Sequence, residues 1–313
     1  QTGALSNDNY TLLTSGGVSG DLNLPKDLSI LNRRGYASTT RKGVPLVYQC
    51  KVDFYLHDED GQGPSTALQA DLQATLKIDG CQNNWVMKNA AVKFHAAREK
   101  MFARAGVRKS DRGSYHHEIR YNYDGSGDTW LVPIDGDGDA FTGGTWDNTR
   151  LTTEDDVEFQ LKLVGVGIDE SSAITVSAVQ IGNSYLQSRG IVPVDSNLET
   201  SANPAKFSIL RDLLDDSDMD PTFRDNVVGD AQNSGDNPPY DEFVPGDTNA
   251  DITEPVELGR AIAGFGNAYG SCIVEIPFGL AKMRATVFDA DDTNVTPSGL
   301  VCVEVLDIYE MQG

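Results

Sequence analysis

The sequence lacks the features that identify several large classes of protein. It contains no run of about 18 apolar residues, the length that a transmembrane helix needs. It has no GxSxG, HExxH or phosphate-loop motif, so no familiar catalytic pattern indicates an enzyme. We therefore expect a protein that is not an enzyme and that binds no cofactor, calcium excepted.

Cysteine is also scarce, and its spacing predicts no metal site. The four cysteines, Cys50, Cys81, Cys272 and Cys302, form no CxxC pair of the kind that structural zinc sites use. Cys50, Cys272 and Cys302 lie within apolar strand patterns, which favours buried free thiols that act as small apolar side chains. A disulfide between Cys272 and Cys302 on neighbouring strands is the alternative.

Positive charge is scarce in the second part of the chain. Residues 1–120 hold 16 Lys and Arg against 12 Asp and Glu, whereas residues 121–313 hold 9 against 35. The first part therefore has a net charge of +4, the second has −26, and the whole chain has −22. A surface this acidic repels bare nucleic acid, so we expect no direct sequence-specific binding of nucleic acid. The first part suits an anionic partner surface.

Short β-branched segments, separated by glycine, proline, asparagine and aspartate, are what the sequence has in abundance. About twelve such segments read as strands, and this pattern predicts an all-β jelly-roll sandwich. One eight-stranded jelly roll with inserts would leave strands over, so a double jelly roll is favoured, although it needs about sixteen strands. The segment 300–309 is almost continuously apolar, which predicts a central strand. The other main strand candidates are 44–57, 66–78, 115–123, 129–134, 157–166, 173–185, 256–263, 272–277 and 283–289.

Composition divides the chain into four parts. Residues 1–43 read as an extended N-terminal arm. Residues 44–195 form a first jelly-roll or sandwich region. Residues 196–254 form a polar, acidic loop insertion that contains a short helix. Residues 255–313 supply C-terminal strands that complete either a second jelly roll or the same sandwich.

One amphipathic helix is predicted at about 84–105. Asn83 or Asn84 can cap its N-terminus, and Gly106 follows its end. Its apolar stripe consists of Ala90, Phe94, Ala97, Met101 and Ala105. Shorter helical signals occur at 26–32, within the arm, and at 206–214, within the acidic insertion.

Basic residues cluster in two places in the first part of the chain. The arm carries Arg33, Arg34 and Arg41, and the end of the predicted helix with the loop after it carries Arg104, Arg108, Lys109 and Arg112. Such groups can meet the phosphates of lipid headgroups or nucleic acid, so we expect these seven residues to make assembly or inner-surface contacts. The alternative is a solvated helix face whose charges pair with the acidic part of the chain.

An aspartate-rich turn offers a candidate calcium site. Asp135, Asp137 and Asp139 alternate with glycine, and alternate carboxylates can converge on one hard cation. An EF-hand would need a glutamate about seven residues after the third aspartate, where Trp146 and Asp147 stand instead. The alternative is a solvated acidic turn that holds no metal.

The four histidines, His57, His95, His116 and His117, do not predict a metal site. His116 and His117 fall within the strand candidate 115–123, where adjacent side chains point to opposite faces of a sheet and cannot share one ion. His57 and His95 lie far from them in the sequence. We expect the histidines to be surface or interface residues.

Three short segments of the sequence carry a resemblance to a known family. They are the segment Leu24-Pro-Lys-Asp-Leu-Ser-Ile-Leu-Asn-Arg-Arg-Gly-Tyr36 before the first long strand, Asn84-Trp85-Val86 at the start of the helix, and Ile276-Pro277-Phe278-Gly279-Leu280-Ala281 between late strands. With the polar N-terminal arm, they resemble the jelly-roll major capsid proteins of small icosahedral DNA viruses. Within that family, the sequence is most similar in character to the coat proteins of lipid-containing bacteriophages of the corticovirus and finnlakevirus kind.

The resemblance implies a structural protein of the virion. In that family one or two upright jelly rolls form trimeric capsomers, and an inner membrane lies between the coat and the genome. The expected partners are therefore copies of the chain itself, other virion proteins and membrane headgroups on one face. This chain lacks the dense basic tail of coat proteins that touch their genome, which favours a coat that rests on a membrane or on other proteins.

A second functional class remains open from the sequence. A secreted calcium-binding β-sandwich adhesin or carbohydrate-binding module would place tyrosine, tryptophan and aspartate in its turns for sugar contacts. Trp130 and Trp146 are the candidates for that role. Loss of thermal stability in EDTA, together with glycan binding, would favour this class over the coat.

Overall fold

The structure is a computed structural model, and it describes eleven β-strands and three α-helices. The described residues are 7–13, 18–57, 73–125, 130–135, 137–153, 158–165, 178–188, 254–264, 267, 269–288 and 298–312. The strands are β1 Asn7–Leu13, β2 Val18–Asn23, β3 Leu46–His57, β4 Gln73–Gly80, β5 Arg150–Thr152, β6 Glu158–Lys162, β7 Ala178–Gln180, β8 Val256–Gly264, β9 Tyr269–Pro277, β10 Leu280–Phe288 and β11 Ser298–Glu310. The helices are α1 Leu24–Asn32, α2 Trp85–Arg104 and α3 Ile181–Ser188, with a 3₁₀ turn at Lys109–Asp111.

Eight of these strands form two antiparallel four-stranded sheets. One sheet has the order β1-β11-β3-β9, and the other has the order β2-β10-β4-β8. The two sheets share one apolar core, so the predicted all-β sandwich is confirmed. Strand β11 pairs with β1 on one side and with β3 on the other. The prediction that 300–309 forms a central strand is therefore also confirmed.

The sandwich core follows from alternation along the strands. In β3 the side chains of Tyr48, Cys50, Val52, Phe54 and Leu56 are all at most 1% exposed, while the residues between them are partly exposed. Strands β4 and β11 alternate in the same way. Because a strand turns successive side chains to opposite faces, this period of two places one apolar row of each strand between the sheets.

The predicted N-terminal arm is wrong, because residues 1–43 contribute to both sheets. Strand β1 pairs with β11 in the first sheet, and β2 pairs with β10 in the second. Helix α1 follows at once, with the side-chain oxygen of Asn23 accepting a hydrogen bond from the amide of Lys26 at 3.0 Å. Polar residues in β1 and β2 weaken the apolar alternation by which a strand is predicted. Both are edge strands, which tolerate polar side chains.

The chain leaves the sandwich after β4 and returns at β8, and in between it builds a second core. Helix α2 buries Ala90, Phe94 and Ala97 there, and the small sheet β5-β6-β7 and helix α3 pack around it. The predicted helix is thus confirmed. Its N-cap is Asn84, whose side-chain oxygen accepts a hydrogen bond from the amide of Met87 at 3.0 Å.

Three strand predictions within this insertion are wrong in whole or in part. Residues 114–117 form a turn, and only Asn122 makes an isolated bridge within the candidate 115–123. The candidate 129–134 makes single bridges at Trp130 and Ile134. In the candidate 173–185, strand β7 ends at Gln180 and α3 begins. The ring of Tyr185 there packs edge-on against Trp85 of α2, with centroids 6.4 Å apart, so tertiary packing outweighs β propensity.

The C-terminal strands complete the same sandwich as β3 and β4. Strands β9 and β11 flank β3, and strands β8 and β10 flank β4. The described residues therefore contain one eight-stranded sandwich, and the predicted double jelly roll would need strands outside them. The acidic insertion 196–253, with its short helix predicted at 206–214, also lies outside the described residues.

All four cysteines are free thiols, which confirms the prediction for Cys50, Cys272 and Cys302, although the predicted burial is found only for Cys50 among these three. Cys50 and Cys81 are buried, whereas Cys272 and Cys302 are partly exposed. The alternative disulfide is wrong because β3 lies between the two strands that carry those residues. Cys272 stands opposite Val52 of β3, and Cys302 stands opposite Asp53.

Candidate functional site

A basic cleft forms where α2 meets the chain segments on either side of it. Its volume is about 630 Å³, which lies within the range of small-molecule sites. It is lined by Arg41, His95, Glu99, Lys109, Arg112, Gly113, Ser114, His116 and His117. Three cationic side chains thus face one carboxylate, so the cleft has an excess of two positive charges in a protein whose net charge is −22.

Gly43 allows the segment that carries Arg41 to approach α2. Residues 40–43 form a tight turn in which the amide of Gly43 donates to the carbonyl oxygen of Thr40 at 2.9 Å. Gly43 has φ +82°, and a Cβ at this position would overlap the side chain of His95. Glycine is therefore required both by the backbone conformation and by the contact, and the turn places Arg41 at the mouth of the cleft.

The buried side chain of Arg112 and the partly exposed side chain of Glu99 form an ion pair in the wall of the cleft. The Nη1 atom of Arg112 donates to Glu99 at 2.7 Å, and the Arg112 side chain is only 8% exposed. Its guanidinium lies over the ring of Phe102, 4.5 Å from the centroid. This hydrogen bond and charge lower the pKa of Glu99 below its ordinary value, against the opposing effect of burial.

Arg98 fixes the loop that carries the two adjacent histidines. Its Nη1 atom donates to the backbone carbonyl oxygens of His116 and of Glu118, the second at 2.9 Å. Its guanidinium also lies over Phe102, 5.1 Å from the ring centroid. The amide of His116 donates to the carbonyl oxygen of Gly113 at 3.1 Å and closes the turn. Helix α2 therefore orients this loop through one arginine.

The turn brings His116 and His117 to the same cleft, where their ring centroids lie 5.9 Å apart. The Nδ1 atom of His116 lies 3.0 Å from the carbonyl oxygen of Gly113. A carbonyl oxygen only accepts hydrogen bonds, so Nδ1 carries the proton in the neutral ring and Nε2 does not. In that tautomer Nε2 of His116 accepts hydrogen bonds and does not donate them.

Two of the histidines are held neutral by their surroundings. Burial lowers the pKa of His95, and the charge of Arg98 acts in the same direction while Glu99 opposes it. Burial also lowers the pKa of His117, followed by the charge of Arg41. Because both pKa values lie below the ordinary value, these rings are uncharged at neutral pH and become charged as the pH falls.

The cleft unites three of the seven basic residues that the sequence selected. Arg41, Lys109 and Arg112 line it, although 71 residues of sequence separate the first from the last. The remaining four do not line it: Arg33 is the exposed C-cap of α1, Arg34 lies over the ring of Tyr36, and Arg104 and Arg108 are exposed. His95, His116 and His117 also line the cleft, although the sequence did not predict them there. The Gly113-Ser114 pair before His116 was the available turn signal.

The aspartate-rich turn is closed by hydrogen bonds between its own backbone amides and one of its carboxylates. The Oδ1 atom of Asp135 accepts hydrogen bonds from the amides of Asp137 at 3.0 Å and of Asp139 at 2.9 Å. Among the described residues, no group of three or more His, Cys, Asp or Glu side chains is placed to hold a metal ion. The geometry favours the alternative of a self-bonded acidic turn over the candidate calcium site.

We expect calcium and EDTA to leave the thermal unfolding midpoint unchanged. Asp135→Ala should instead lower the free energy of unfolding by about 1 kcal/mol in both conditions, because two backbone amides lose their acceptor. Asp137→Ala is the matched control, since its carboxylate is not the acceptor in this turn. A midpoint that calcium raises in the wild type but not in Asp135→Ala would contradict the self-bonded turn.

Comparisons with known proteins add no family to this picture. No family model matches the sequence, and neither a curated protein nor a solved structure matches the chain. In the described part of the chain, no helix has the length and apolar character to cross a membrane.

Proposed function

We propose that this chain is a structural coat subunit that assembles with copies of itself into an icosahedral virion shell. The observation that carries the proposal is the strand order β1-β11-β3-β9 against β2-β10-β4-β8. In this order, strands from the start and the end of the chain alternate in both sheets, as in an eight-stranded jelly roll. The jelly roll is an architecture of viral coats and also of lectin domains.

The packing of the sandwich supports a structural role rather than the binding of a ligand between the two sheets. Apolar side chains from both sheets fill the space between them, including Phe54, Leu76, Met283 and Val303, each at most 1% exposed. A close-packed interior of this kind resists deformation. A coat subunit needs that rigidity because each copy must present the same surfaces to its neighbours.

Exposed apolar side chains on two edge strands support self-association. Strand β8 ends one sheet and β9 ends the other. Ile262 on β8 is 49% exposed, and Ile273 on β9 is 65% exposed. Both side chains face away from the sandwich core, and exposed apolar side chains on strands at the ends of the sheets favour contact with another chain. We propose that these edges meet neighbouring copies, with trimers as the first assembled unit.

The basic cleft indicates which side of the proposed subunit faces the inside of the particle. The cationic side chains that line it suit lipid headgroups of an internal membrane, while the acidic second part of the chain would be repelled by them. Other virion proteins with acidic surfaces could occupy the same position in the particle. The proposed location of the chain is therefore the capsid, over a membrane.

Light scattering after size exclusion tests the assembly. We expect the purified chain to form trimers or larger particles, and micrographs of the native source material to show uniform icosahedral outlines. The double variant Ile262→Lys/Ile273→Lys should shift the chain to monomers, because charge at an edge strand opposes pairing. Val132→Lys is the matched control, since Val132 is also exposed, at 48%, but lies on a loop. A wild-type monomer at every concentration and salt level would refute the coat proposal.

A further inference from the structure

We propose that the basic cleft is a binding site for a phosphate monoester group, and that His116 and His117 link this binding to protons. The ligand class is a terminal phosphate, which either a lipid headgroup or a free phosphate can supply. The inference goes beyond self-assembly and does not depend on it. A phosphate site would exist in a monomer as well as in a shell.

Charge and donor chemistry select a dianion for this cleft. Arg41 and Lys109 are exposed and have no ion pair in the described part of the chain. Arg112 uses Nη1 for Glu99, and its Nε atom is buried without a hydrogen-bond partner among the described residues, so Arg112 contributes mainly its charge to the cleft. Arginine carries five N–H donors in a fixed fork that matches phosphate oxygens. The excess of two positive charges equals the charge of a fully ionised monoester.

A single phosphate suits this protein better than a nucleic acid. The whole chain has a net charge of −22, and this charge opposes the approach of a polyanion. Repulsion of that kind grows with the number of phosphates, whereas a single phosphate group meets only the local cations. The cleft volume of about 630 Å³ accommodates the phosphate and part of the group attached to it.

The histidines supply donors that depend on pH. A neutral imidazole carries one N–H group and a charged imidazole carries two, so each proton taken up by a ring in the cleft adds a hydrogen-bond donor. The charged groups that face the three rings are Arg41, Arg98, Glu99, Lys109 and Arg112. Four of these are cationic, and the pKa values of His95 and His117 are lowered in the free protein. A bound anion offsets the positive charge around these rings and raises their pKa values. Binding therefore takes up protons, and the affinity for the anion rises as the pH falls.

Titration calorimetry with inorganic phosphate tests the site. We expect Arg41→Gln and Lys109→Gln each to weaken binding about tenfold, as expected for the loss of a charge-assisted hydrogen bond. Lys42→Gln and Arg108→Gln are matched controls, because these exposed neighbours remove the same charge but do not line the cleft. Equal weakening in the controls, or no weakening in the cleft variants, would overturn the proposal.

The proton link is measured with inorganic sulfate, which stays dianionic across the range. Sulfate affinity should rise at least about fivefold from about pH 8 to about pH 5.5, the interval in which histidine titrates. His116→Gln/His117→Gln should bind sulfate normally at the higher pH and lose most of the rise. A wild-type affinity that does not change with pH, or a double variant with the full rise, would overturn the role of the histidines.

Vesicles distinguish the two sources of the phosphate. Phosphatidylcholine vesicles with phosphatidic acid present a monoester, and those with phosphatidylglycerol present only a diester. Binding to the phosphatidic acid vesicles that Lys109→Gln weakens supports a lipid headgroup, while binding of inorganic phosphate alone supports a free phosphate. Preference for phosphatidylglycerol, or for a DNA oligonucleotide without a terminal phosphate, would overturn the monoester. Self-association of the chain is measured separately, so failure of either proposal leaves the other testable.

Discussion

Phe278→Ala is expected to lower the free energy of unfolding by about 3–5 kcal/mol, the cost of removing a fully buried aromatic side chain. Phe278 lies in the turn between β9 and β10 and has no exposed surface. Its ring packs edge-on against Tyr121, with centroids 5.0 Å apart. Phe278 belongs to the core of the insertion although its strands belong to the sandwich. It therefore joins the two cores, and the alanine variant should loosen both.

The backbone conformation of Phe278 also predicts the relative stability of two variants at this position. Its φ is +59°, a left-handed conformation that favours glycine, so the packing of the ring compensates backbone strain. Phe278→Gly removes the same ring but relieves that strain of about 1–2 kcal/mol. We therefore expect the glycine variant to be more stable than the alanine variant, which reverses the order found in ordinary strand positions.

Urea unfolding followed by circular dichroism measures both variants. Phe141→Ala is the matched control, because Phe141 is 39% exposed on a loop and should change the free energy of unfolding by less than about 0.5 kcal/mol. An alanine variant as stable as wild type would show that the turn does not join the two cores. A glycine variant less stable than the alanine variant would show that the strain is absent.

Gly270→Ala is expected to cost about 3 kcal/mol, at the upper end of the range for overpacked positions. Gly270 lies in β9, where that edge strand passes close to β8. A Cβ at this position would overlap the carbonyl oxygen of Ile262 and would lie 2.7 Å from its carbonyl carbon and 2.9 Å from its amide nitrogen. Backbone atoms cannot rotate away, so the edges of the two sheets must separate.

A neighbouring glycine supplies the contrast. A Cβ at Gly259 of β8 would overlap Cγ1 of Val274, which is a side-chain atom. The double variant Gly259→Ala/Val274→Ala should therefore be more stable than the sum of its single changes predicts. Truncation of Ile262 should give no such rescue of Gly270→Ala, because the obstacle there is backbone. Gly144→Ala, with no atom within 4 Å, is the neutral control.

Much of the sandwich was predictable, and the reason is local. Strands β3 and β11 alternate or repeat apolar residues over more than ten positions, and α2 has both a cap and an apolar stripe. Such signals depend only on the geometry of one element. Strands β1 and β2 were not predicted, because their short polar segments form strands only by pairing with β11 and β10. Propensity cannot report a partner that lies more than 250 residues away.

The basic cleft was predictable only in its charges. The sequence selected Arg41, Lys109 and Arg112, since clusters of cations are visible in any order of residues. It could not show that the turn at Gly43 rests on His95, or that Arg98 holds the loop of His116 and His117 against α2. Those contacts join positions that only the packing of α2 brings together. The coat function itself stays a prediction.

The all-β class, the position of α2, the free thiols and the uneven division of charge all follow from the order of the amino acids. These properties depend on neighbours along the chain, where alternation, capping and composition act directly. The tertiary structure alone decided that one sandwich draws its strands from both ends of the chain, and that three histidines and three cations share one cleft. Such arrangements depend on which distant surfaces pack together, and that choice is made by the free energy of the whole fold.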